Sequence, residues 1–483
     1  MVFNYILSIL LFLLFLGVIL IIIFDDGDSG KKIAWLLLIT VLPVVGIVLY
    51  LLFGISYRRP EVFRNAHKAT IEKFAAETDG SFMRLLGGKE HLDELDTRFR
   101  PLAEFFLGSG TVSSLSGGNS FEIITSGQRK LDLLLKDIRE AKHSIHVEYF
   151  HFGKDKGSRQ VKELLEQKAR EGVEVRFLNE NIANMPVPST YYNKMRRSGI
   201  EVERFTSTRQ GLLSVPMRLN YRNHRKIVVI DGRIGYTGGM NINDNYFFQW
   251  RDTHLRLEGR AVAALQTVFI DSWLSSGGKL KQPLPAYFHD FDSIPDGPLR
   301  DKLVQIVPGE ADSRWPAIQM GYEWLFHNAR EYIYLQTPYF VPPESFLLAM
   351  KSAALRGVDV RLMLPAKVDT PLMGPANKAY YSECLEAGVR IFERGGEFIH
   401  AKTVVCDDYL SQIGTANIDI RSFDINHEVN AYIYDRQTAL ECKRIFDEDL
   451  ALSKEITLKQ WKESRHWYES LLSRFMRLFS GLL

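Results

Sequence analysis

The sequence is poor in cysteine and has almost no excess of charge of either sign. Three cysteines in 483 residues, at positions 384, 406 and 442, are odd in number and far apart, which excludes CxxC pairs and a thiolate metal cage. Lysine and arginine number 60 against 58 aspartate and glutamate, a formal net charge of +2. A chain that holds nucleic acid through bulk positive charge would be strongly basic, so we expect no nucleic-acid partner.

Charge is also missing from two stretches near the N-terminus, 3–24 and 33–57. Each is long enough to cross a hydrocarbon layer, which needs about 20 apolar residues. The sequence therefore predicts a two-span transmembrane hairpin over 1–58. A cleaved signal peptide is the alternative for the first stretch, but it lacks a basic start and a small-residue cleavage site. More Lys and Arg follow the second span than lie in the turn, which predicts a multi-pass cell-membrane protein whose large C-terminal part is cytoplasmic.

The rest of the chain reads as a duplicated α/β unit. A strand, helix and strand at 144–178 recur at 332–364, and REGVEVRFL at 170 resembles LRGVDVRLML at 355. The predicted fold class is α/β, with two pseudo-symmetric halves packed around one active site. The predicted divisions are a mixed, helical segment with its linker (59–118), a first half (119–294), a second half (295–457) and a C-terminal amphipathic helix (458–483). The flexible connection itself is predicted at 107–120.

The C-terminal helix places apolar residues every three or four positions. These are Trp467, Leu471, Phe475, Leu478 and Leu482, while arginines and serines occupy the other side. Such a helix either lies on a membrane surface or docks on the protein core, and the pattern alone favours neither. The two apolar stretches upstream tilt the interpretation towards the membrane.

One polar pattern occurs once in each half. NHRKIVVIDGRIGYTGGMN (223–241) and HAKTVVCDDYLSQIGTAN (400–417) carry histidine, lysine, aspartate, glycine and asparagine at the same spacing, the second copy 176 residues after the first. Eleven residues beyond each asparagine lies a carboxylate. The repeated residues are His224 and His400, Lys226 and Lys402, Asp231 and Asp407, Asn241 and Asn417, and Asp252 and Glu428.

These residue types suit the cleavage of a phosphodiester. Residues two apart in a strand point to one face, so each histidine projects with its lysine, and two symmetric halves would bring both pairs to one cleft. One imidazole can attack phosphorus while the other protonates the leaving alkoxide, through a covalent phosphohistidine. The lysines, Asn241 and Asn417 would hold the nonbridging oxygens.

The carboxylates are given two different tasks. Asp252 and Glu428 are placed to bind the far nitrogen of an imidazole and fix its tautomer. Asp231 and Asp407 belong to the repeated motif, but they directly follow apolar strands and are interpreted as structural partners more than as catalysts. A divalent metal site is the rival reading, and it is disfavoured because each histidine has a lysine on its own face. We therefore expect no metal and no cofactor.

The pattern H-x-K-x4-D-x6-G-x2-N, present twice, resembles the phospholipase D superfamily, and the segments NYRNHRKIVVIDG, TPYFVP and GTANIDIRSF resemble bacterial cardiolipin synthases. The resemblance implies a phosphatidyltransferase that joins two molecules of phosphatidylglycerol into diphosphatidylglycerol and releases glycerol, with membrane lipids as partners and no metal. It implies His224 as nucleophile and His400 as general acid. The alternatives are a hydrolase of the same mechanism, a synthase that also uses phosphatidylethanolamine, and a lipid-binding scaffold without turnover.

Overall fold

The structure is a computed structural model, and it describes residues 2–24, 29–50, 54, 88–109, 112–205, 221–288, 301–311, 313–464 and 466–478. The first part of the predicted helical segment, 59–87, therefore lies outside the described residues. The strands of the first half are β1 (Ser114–Ile124), β2 (Ser144–Tyr149), β3 (Glu174–Glu180), β4 (Glu201–Phe205), β5 (Lys226–Ile230), β6 (Ile234–Gly238) and β7 (His254–Glu258).

The second half contributes the remaining strands, two of them only two residues long. They are β8 (Lys302–Gly309), β9 (Tyr332–Gln336), β10 (Phe340–Val341), β11 (Asp359–Pro365), β12 (Arg390–Arg394), β13 (Thr403–Cys406), β14 (Leu410–Gly414), β15 (Ile418–Asp419), β16 (Glu428–Tyr434) and β17 (Ser453–Ile456).

Helices precede the sheet, cover its faces and follow it. They are α1 (Val2–Phe24), α2 (Ser29–Val41), α3 (Pro43–Leu49), α4 (Arg100–Gly108), α5 (Gly127–Glu140), α6 (Lys156–Arg170), α7 (Ser189–Arg197), α8 (Asp244–Phe248), α9 (Ala261–Ser275), α10 (Ala317–Asn328), α11 (Glu344–Leu355), α12 (Met373–Lys378), α13 (Tyr381–Glu386), α14 (Ile420–Asp424), α15 (Arg436–Leu450), α16 (Leu458–Ser464) and α17 (Trp467–Leu478).

Both halves belong to one continuous sheet of 15 strands, in the order β17-β12-β11-β9-β13-β14-β16-β8-β1-β7-β6-β5-β2-β3-β4. The two halves meet where β1 and β8 pair antiparallel. On either side of this seam the inner strands run antiparallel, as in the pair β5–β6, and parallel pairs lie further out, as in β2–β3. The edge strand β17 is again antiparallel to β12. The prediction of two α/β halves is confirmed.

The strand that carries the first motif shows why the sheet is buried on both faces. Ile227 and Val229 point into a core that both halves share, whereas Val228 and Ile230 point into the core of the first half. Successive side chains of a strand face opposite sides, so an unbroken apolar run fits a strand covered by helices on both faces. The polar residues at the ends of β5 are thus held by a rigid element.

The predicted flexible linker at 107–120 is wrong for most of its length. Residues from Ser114 onward form β1, which lies at the seam between β7 and β8. The register shifts between Ser116 and Asn119, and Gly118 has φ 68°, a left-handed conformation that glycine adopts without strain. The glycines and serines that indicated a linker instead form a bulge in a central strand.

The N-terminal helices pack on each other through Val18, Ile22, Ile39, Ile47 and Tyr50. The second apolar stretch is not one helix, because α2 ends at Val41 and α3 starts at Pro43, whose ring cannot continue the helical hydrogen bonding. Counting only the residues that the structure describes, no helix is both long enough and apolar enough to cross a membrane.

The predicted C-terminal amphipathic helix is two helices, α16 and α17. Arg477 ties α17 to the second half through Glu383, with Nη1 to Oε1 at 2.6 Å, and Met476 is buried at 6% exposure. The apolar side chains of Trp467, Leu471 and Phe475 remain exposed, Trp467 at 78%. The helix therefore docks on the protein by one face, and much of its apolar stripe, Trp467, Leu471 and Phe475, is exposed.

Candidate active site

The histidine segment of each half pairs with the carboxylate segment of the other half. The backbone N–H of His224 donates to His427 O at 2.9 Å, next to Glu428. In the equivalent contact of the other half, the N–H of His400 donates to Arg251 O at 2.7 Å, next to Asp252. These bridges join strand ends that lie far apart in the sequence, and they bring the two motifs to one centre.

The side chains repeat this crossing. Nδ1 of His224 lies 2.9 Å from both carboxylate oxygens of Glu428, and Nδ1 of His400 lies 2.7 Å from Oδ2 of Asp252. All four side chains are buried. A carboxylate on Nδ1 fixes the tautomer that carries its proton there, so Nε2 of each imidazole is left with the lone pair that a nucleophile or base requires. Each half therefore orients the histidine of the other.

Each lysine is held against the backbone of its own histidine. Lys226 Nζ donates to His224 O at 2.8 Å, and Lys402 Nζ donates to His400 O at 2.7 Å and lies 3.1 Å from His400 Nε2. Burial lowers the pKa of Lys226 to about 7 and that of Lys402 to about 8. Burying two ammonium groups without a counter-charge is costly, so this position is suited to bind an anion.

Both imidazoles are neutral in the free protein at neutral pH. Burial is the main cause that lowers the pKa of His224 to about 4 and that of His400 to about 3, although the facing carboxylates act in the opposite direction. Burial also opposes ionisation of Glu428, but His224 beside it holds the pKa of this carboxyl below its usual value. A neutral His224 beside an ionised Glu428 is the state in which Nε2 of His224 can attack phosphorus.

The two predicted phosphate-holding asparagines follow β6 and β14. Asn241 is engaged, because its Oδ1 accepts the N–H of His151 at 3.2 Å and its Nδ2 donates to the hydroxyl of Tyr246 at 2.9 Å. Asn417 Oδ1 is buried and has no hydrogen-bond partner among the described residues. A buried amide oxygen without a partner is costly, so we expect a bound group or water to complete this position.

The structure does not bring Asp231 and Asp407 to the histidines. The length of β5 separates Asp231 from Lys226 by about 16 Å, at about 3.3 Å per residue. The Asp231 carboxylate accepts the backbone N–H groups of residues 142–144 at 2.7–2.9 Å, and Asp407 accepts those of 330–332 at 2.8–3.0 Å. Each aspartate therefore lies outside the catalytic set in which the shared motif would place it, since it ties the start of a neighbouring strand to the motif hairpin.

We expect Asp231→Ala to lower the free energy of unfolding by about 1–3 kcal/mol, because three backbone donors lose their acceptor. Turnover of the folded protein should stay close to wild type. Asp231→Asn is the matched control, since asparagine keeps an acceptor and tolerates the φ of 53° at this position. Denaturant unfolding and initial rates, measured on the same preparations, would refute the structural role if Asp231→Ala lost turnover at unchanged stability.

A metal centre finds no support within the described part of the chain, where no group of three or more His, Cys, Asp or Glu side chains could hold an ion. The histidines each have one carboxylate on Nδ1 and a lysine as neighbour. Two ammonium groups at this position would repel a divalent cation.

Sequence reasoning missed the aromatic residues around His400, chiefly Tyr246 and Trp250, whose ring centroids lie 5.1 and 5.6 Å from the imidazole. Arg225 is also buried at this centre and donates from Nε to Glu428 O at 3.1 Å. The repeat itself contained a signal, because Tyr246 and Trp250 correspond to Ser422 and Asn426 at the offset of 176. A difference between two copies marks a position where the halves do different work.

A duplicated α/β fold with two histidine–lysine pairs at one centre defines a two-motif protein of the phospholipase D class. Residues 134–273 and 324–450 match the family described as cardiolipin synthase, PLD-like domain, and residues 8–54 match the phospholipase D-nuclease N-terminal family. The chain belongs to this family of cardiolipin synthases with phospholipase D-like domains.

Characterised relatives agree over almost the whole chain. The major cardiolipin synthase of Bacillus subtilis (strain 168) is 37% identical, covering 98% of each chain. A cardiolipin synthase 2 of Staphylococcus epidermidis is 38% identical over 99% of this chain and 98% of its own. Among solved structures, the phosphatidylserine synthase of Haemophilus influenzae matches with a TM-score of 0.55 at 15% identity, covering 75% of this chain and 93% of that one. The last likeness concerns the fold alone.

We expect kcat/KM for an anionic phosphodiester to be bell-shaped in pH. It should rise through about pH 4 as His224 loses its proton, because only the neutral imidazole attacks. It should fall through about pH 7 to 8, since Lys226 and Lys402 are charged below their pKa values and lose the charge that binds phosphate above them. A kcat/KM that stays flat from pH 6 to pH 10 would show that the lysine charges do not matter.

Proposed function

We propose that this protein is a cardiolipin synthase that transfers the phosphatidyl group of one phosphatidylglycerol to a hydroxyl of another and releases glycerol. The observation that carries the proposal is the crossed pairing of two buried imidazoles with two carboxylates, beside two buried lysines. Such a centre offers a nucleophile, a proton donor and positive charge to one phosphodiester. The family of the chain supports the choice of lipid substrate.

In the first step His224 Nε2 attacks phosphorus and a phosphorus–nitrogen bond forms while the bond to the glycerol oxygen breaks. The departing oxygen takes the proton of His400 Nε2. His400 is neutral in the free protein, so the negative charge of the bound diester must raise its pKa before it can donate. The lysines and the two asparagines stabilise the nonbridging oxygens as charge develops.

In the second step the hydroxyl of an acceptor phosphatidylglycerol replaces glycerol. His400, now neutral, removes the proton of that hydroxyl, and its oxygen attacks phosphorus as the bond to His224 breaks. Diphosphatidylglycerol leaves, and both histidines return to their starting states. No redox change occurs and no external energy source is needed, because one phosphodiester is exchanged for another.

We also propose that the protein is a multi-pass membrane protein with its catalytic halves on the cytoplasmic side. Residues 8–54 match the N-terminal segment of the family, and many apolar side chains of α1 and α2 are exposed, such as Phe12, Leu20 and Leu37. The uncovered stripe of α17 adds a second apolar surface, which would dip into the interface and present the active site to lipid.

Leu471→Asp and Phe475→Asp, made together, should lower turnover of phosphatidylglycerol in vesicles by about tenfold or more, because a charge on the stripe opposes insertion. Turnover of a short-chain phosphatidylglycerol dissolved as monomers should not change. Glu463→Gln on α16 serves as a surface control. Equal losses on vesicles and on the soluble lipid would indicate that α17 acts through folding and would remove the membrane role.

The function is tested by incubating the detergent-solubilised protein with phosphatidylglycerol and separating the lipids. Diphosphatidylglycerol and glycerol in equal amounts are the expected products, with no loss of rate on addition of a chelator. Phosphatidic acid without diphosphatidylglycerol would overturn the synthase in favour of a hydrolase. Release of ethanolamine from a mixture with phosphatidylethanolamine would identify a synthase that also uses phosphatidylethanolamine. No turnover of any of these lipids would indicate a lipid-binding scaffold.

A further inference from the structure

The two catalytic histidines lie in different surroundings although the halves share one fold. His400 is flanked by four aromatic rings, with centroid distances of 5.1 Å to Tyr246, 5.6 Å to Trp250, 5.9 Å to Phe398 and 6.3 Å to Tyr339. Among the described residues, His224 has one aromatic neighbour, Phe150 at 4.8 Å. We call the four rings around His400 the aromatic box.

Comparison of corresponding positions in the two halves shows which residues replace the aromatic rings around His224. At the offset of 176, Tyr246 corresponds to Ser422, Trp250 to Asn426 and Phe398 to Arg222. Arg222 is ion-paired with Glu180, Nε to Oε1 at 3.0 Å. These three residues of the box therefore have polar or charged counterparts in the other half. One flank of the centre is aromatic, and the other is polar and cationic.

A hydroxyl already lies against the reactive nitrogen of His400. The phenol oxygen of Tyr246 is 3.4 Å from Nε2, and it accepts a hydrogen bond from Asn241 Nδ2 at 2.9 Å. Since Nδ1 of His400 is bound to Asp252, Nε2 is the nitrogen free to exchange a proton. The phenol thus marks a position from which an alcohol oxygen can exchange a proton with Nε2. Within the described residues, no side chain forms a hydrogen bond with Nε2 of His224, so the nucleophile is unobstructed.

From these contacts we propose that the aromatic box is the alcohol subsite, which holds the glyceryl leaving group in the first step and the acceptor hydroxyl in the second. This inference rests on the proposed function. It adds a reason why an alcohol rather than water reacts with the phosphohistidine, which the motif residues alone do not give. Flat aromatic faces contact the C–H groups of a glyceryl chain but offer water few hydrogen-bond partners. A water molecule at Nε2 gains no contact with the rings, whereas a lipid alcohol is bound on both its polar and its apolar side.

The box also assigns the two roles. A proton donor to the leaving oxygen must face the alcohol, so His400 is the acid and base, and the open Nε2 of His224 attacks phosphorus. Tyr246 is a positioning residue, because its hydroxyl can donate to the neutral imidazole and accept from the charged one, which supports both protonation states of His400 in turn.

Trp250→Asn and Tyr246→Phe test the subsite in the full-length protein with phosphatidylglycerol. Trp250→Asn introduces the residue found at the corresponding position of the other half, Asn426. It should raise the ratio of phosphatidic acid to diphosphatidylglycerol about tenfold or more, because a few apolar contacts provide discrimination between alcohol and water on this scale. Trp461→Asn is the matched control, since Trp461 packs on Tyr381 away from the histidines and should leave the ratio at the wild-type value.

Tyr246→Phe keeps the ring that packs on Trp250 at 4.6 Å, so it remains informative if the first variant fails to fold. It should lower kcat on phosphatidylglycerol about tenfold with little change in KM, on the scale of a lost positioned proton-transfer partner. Phosphohistidine formation from phosphatidyl p-nitrophenol, whose leaving group needs no proton, should be spared. Wild-type protein that makes no diphosphatidylglycerol would overturn the proposed function. Wild-type product ratios in Trp250→Asn and equal losses on both substrates in Tyr246→Phe would overturn the alcohol subsite alone.

Discussion

His224→Ala and His400→Ala should each lower the formation of diphosphatidylglycerol by about 10⁴-fold or more, the scale at which loss of a nucleophile or its proton-transfer partner acts in other covalent mechanisms. The reason is that the two imidazoles carry different tasks, attack on phosphorus and proton transfer, so neither can replace the other. The double variant should be only slightly slower than either single one, because residues that act as one unit do not lose activity additively. Lipid product separation over long incubation times measures these rates.

The two variants should differ when the leaving group needs no proton. With phosphatidyl p-nitrophenol, His400→Ala should still form the covalent phosphohistidine and stall, while His224→Ala should form none. Mass spectrometry of alkaline digests detects the modified residue and its position. A phosphohistidine at residue 400 in wild-type protein would reverse the two roles, and an active double variant would remove the mechanism.

Glu428→Gln should lower kcat by about 10²–10⁴-fold, in line with the cost of a carboxylate-to-amide change on the histidine of a serine protease. An amide can donate to Nδ1 and so favour the tautomer that places the proton on Nε2, which disables attack. Asp252→Asn should act in the same way on His400. The crossed hydrogen bonds give a sharper expectation, because the first step should fail in Glu428→Gln although Glu428 lies in the half opposite to His224.

The control for these variants is Asp137→Asn, a buried carboxylate that is bound to Arg256 and Tyr236. It should lower stability and leave kcat close to wild type. Phosphohistidine formation from the p-nitrophenyl substrate separates the two carboxylates, since Glu428→Gln should block it and Asp252→Asn should not. If both variants turn over like wild type, the carboxylates are structural and the tautomer argument fails.

Much of the centre could be predicted from the sequence because the chain contains it twice. His224 and His400 stand out through the repeat, and the strand period of two places each lysine on the face of its histidine. The carboxylates at a constant distance beyond the asparagines could be assigned to orient an imidazole. Which carboxylate meets which histidine could not, because a carboxylate follows each histidine 28 residues later in its own half and only the meeting of the two halves selects the crossed pairing.

Other features failed for local reasons. The stretch from 114 to 120 has the composition of a linker, and only its place between β7 and β8 makes it a strand with a bulge. Asp231 belongs to the motif by spacing, but the spacing measures distance along a strand and the carboxylate lies at the far end. The aromatic box escaped notice because its four members come from three separate segments of the chain.

The sequence by itself determined that there are two equivalent halves, that each carries one histidine and one lysine on the same face, and that the chemistry is phosphoryl transfer without thiols. These follow from composition, from short-range periodicity and from the repeat of one motif 176 residues later, all of which are visible without knowledge of the packing. The tertiary structure alone decided that Glu428 orients His224, that Asp252 orients His400, and that aromatic rings surround only one of the two imidazoles. Contacts between residues about 150 to 200 positions apart depend on how the halves pack, and no local pattern records that packing.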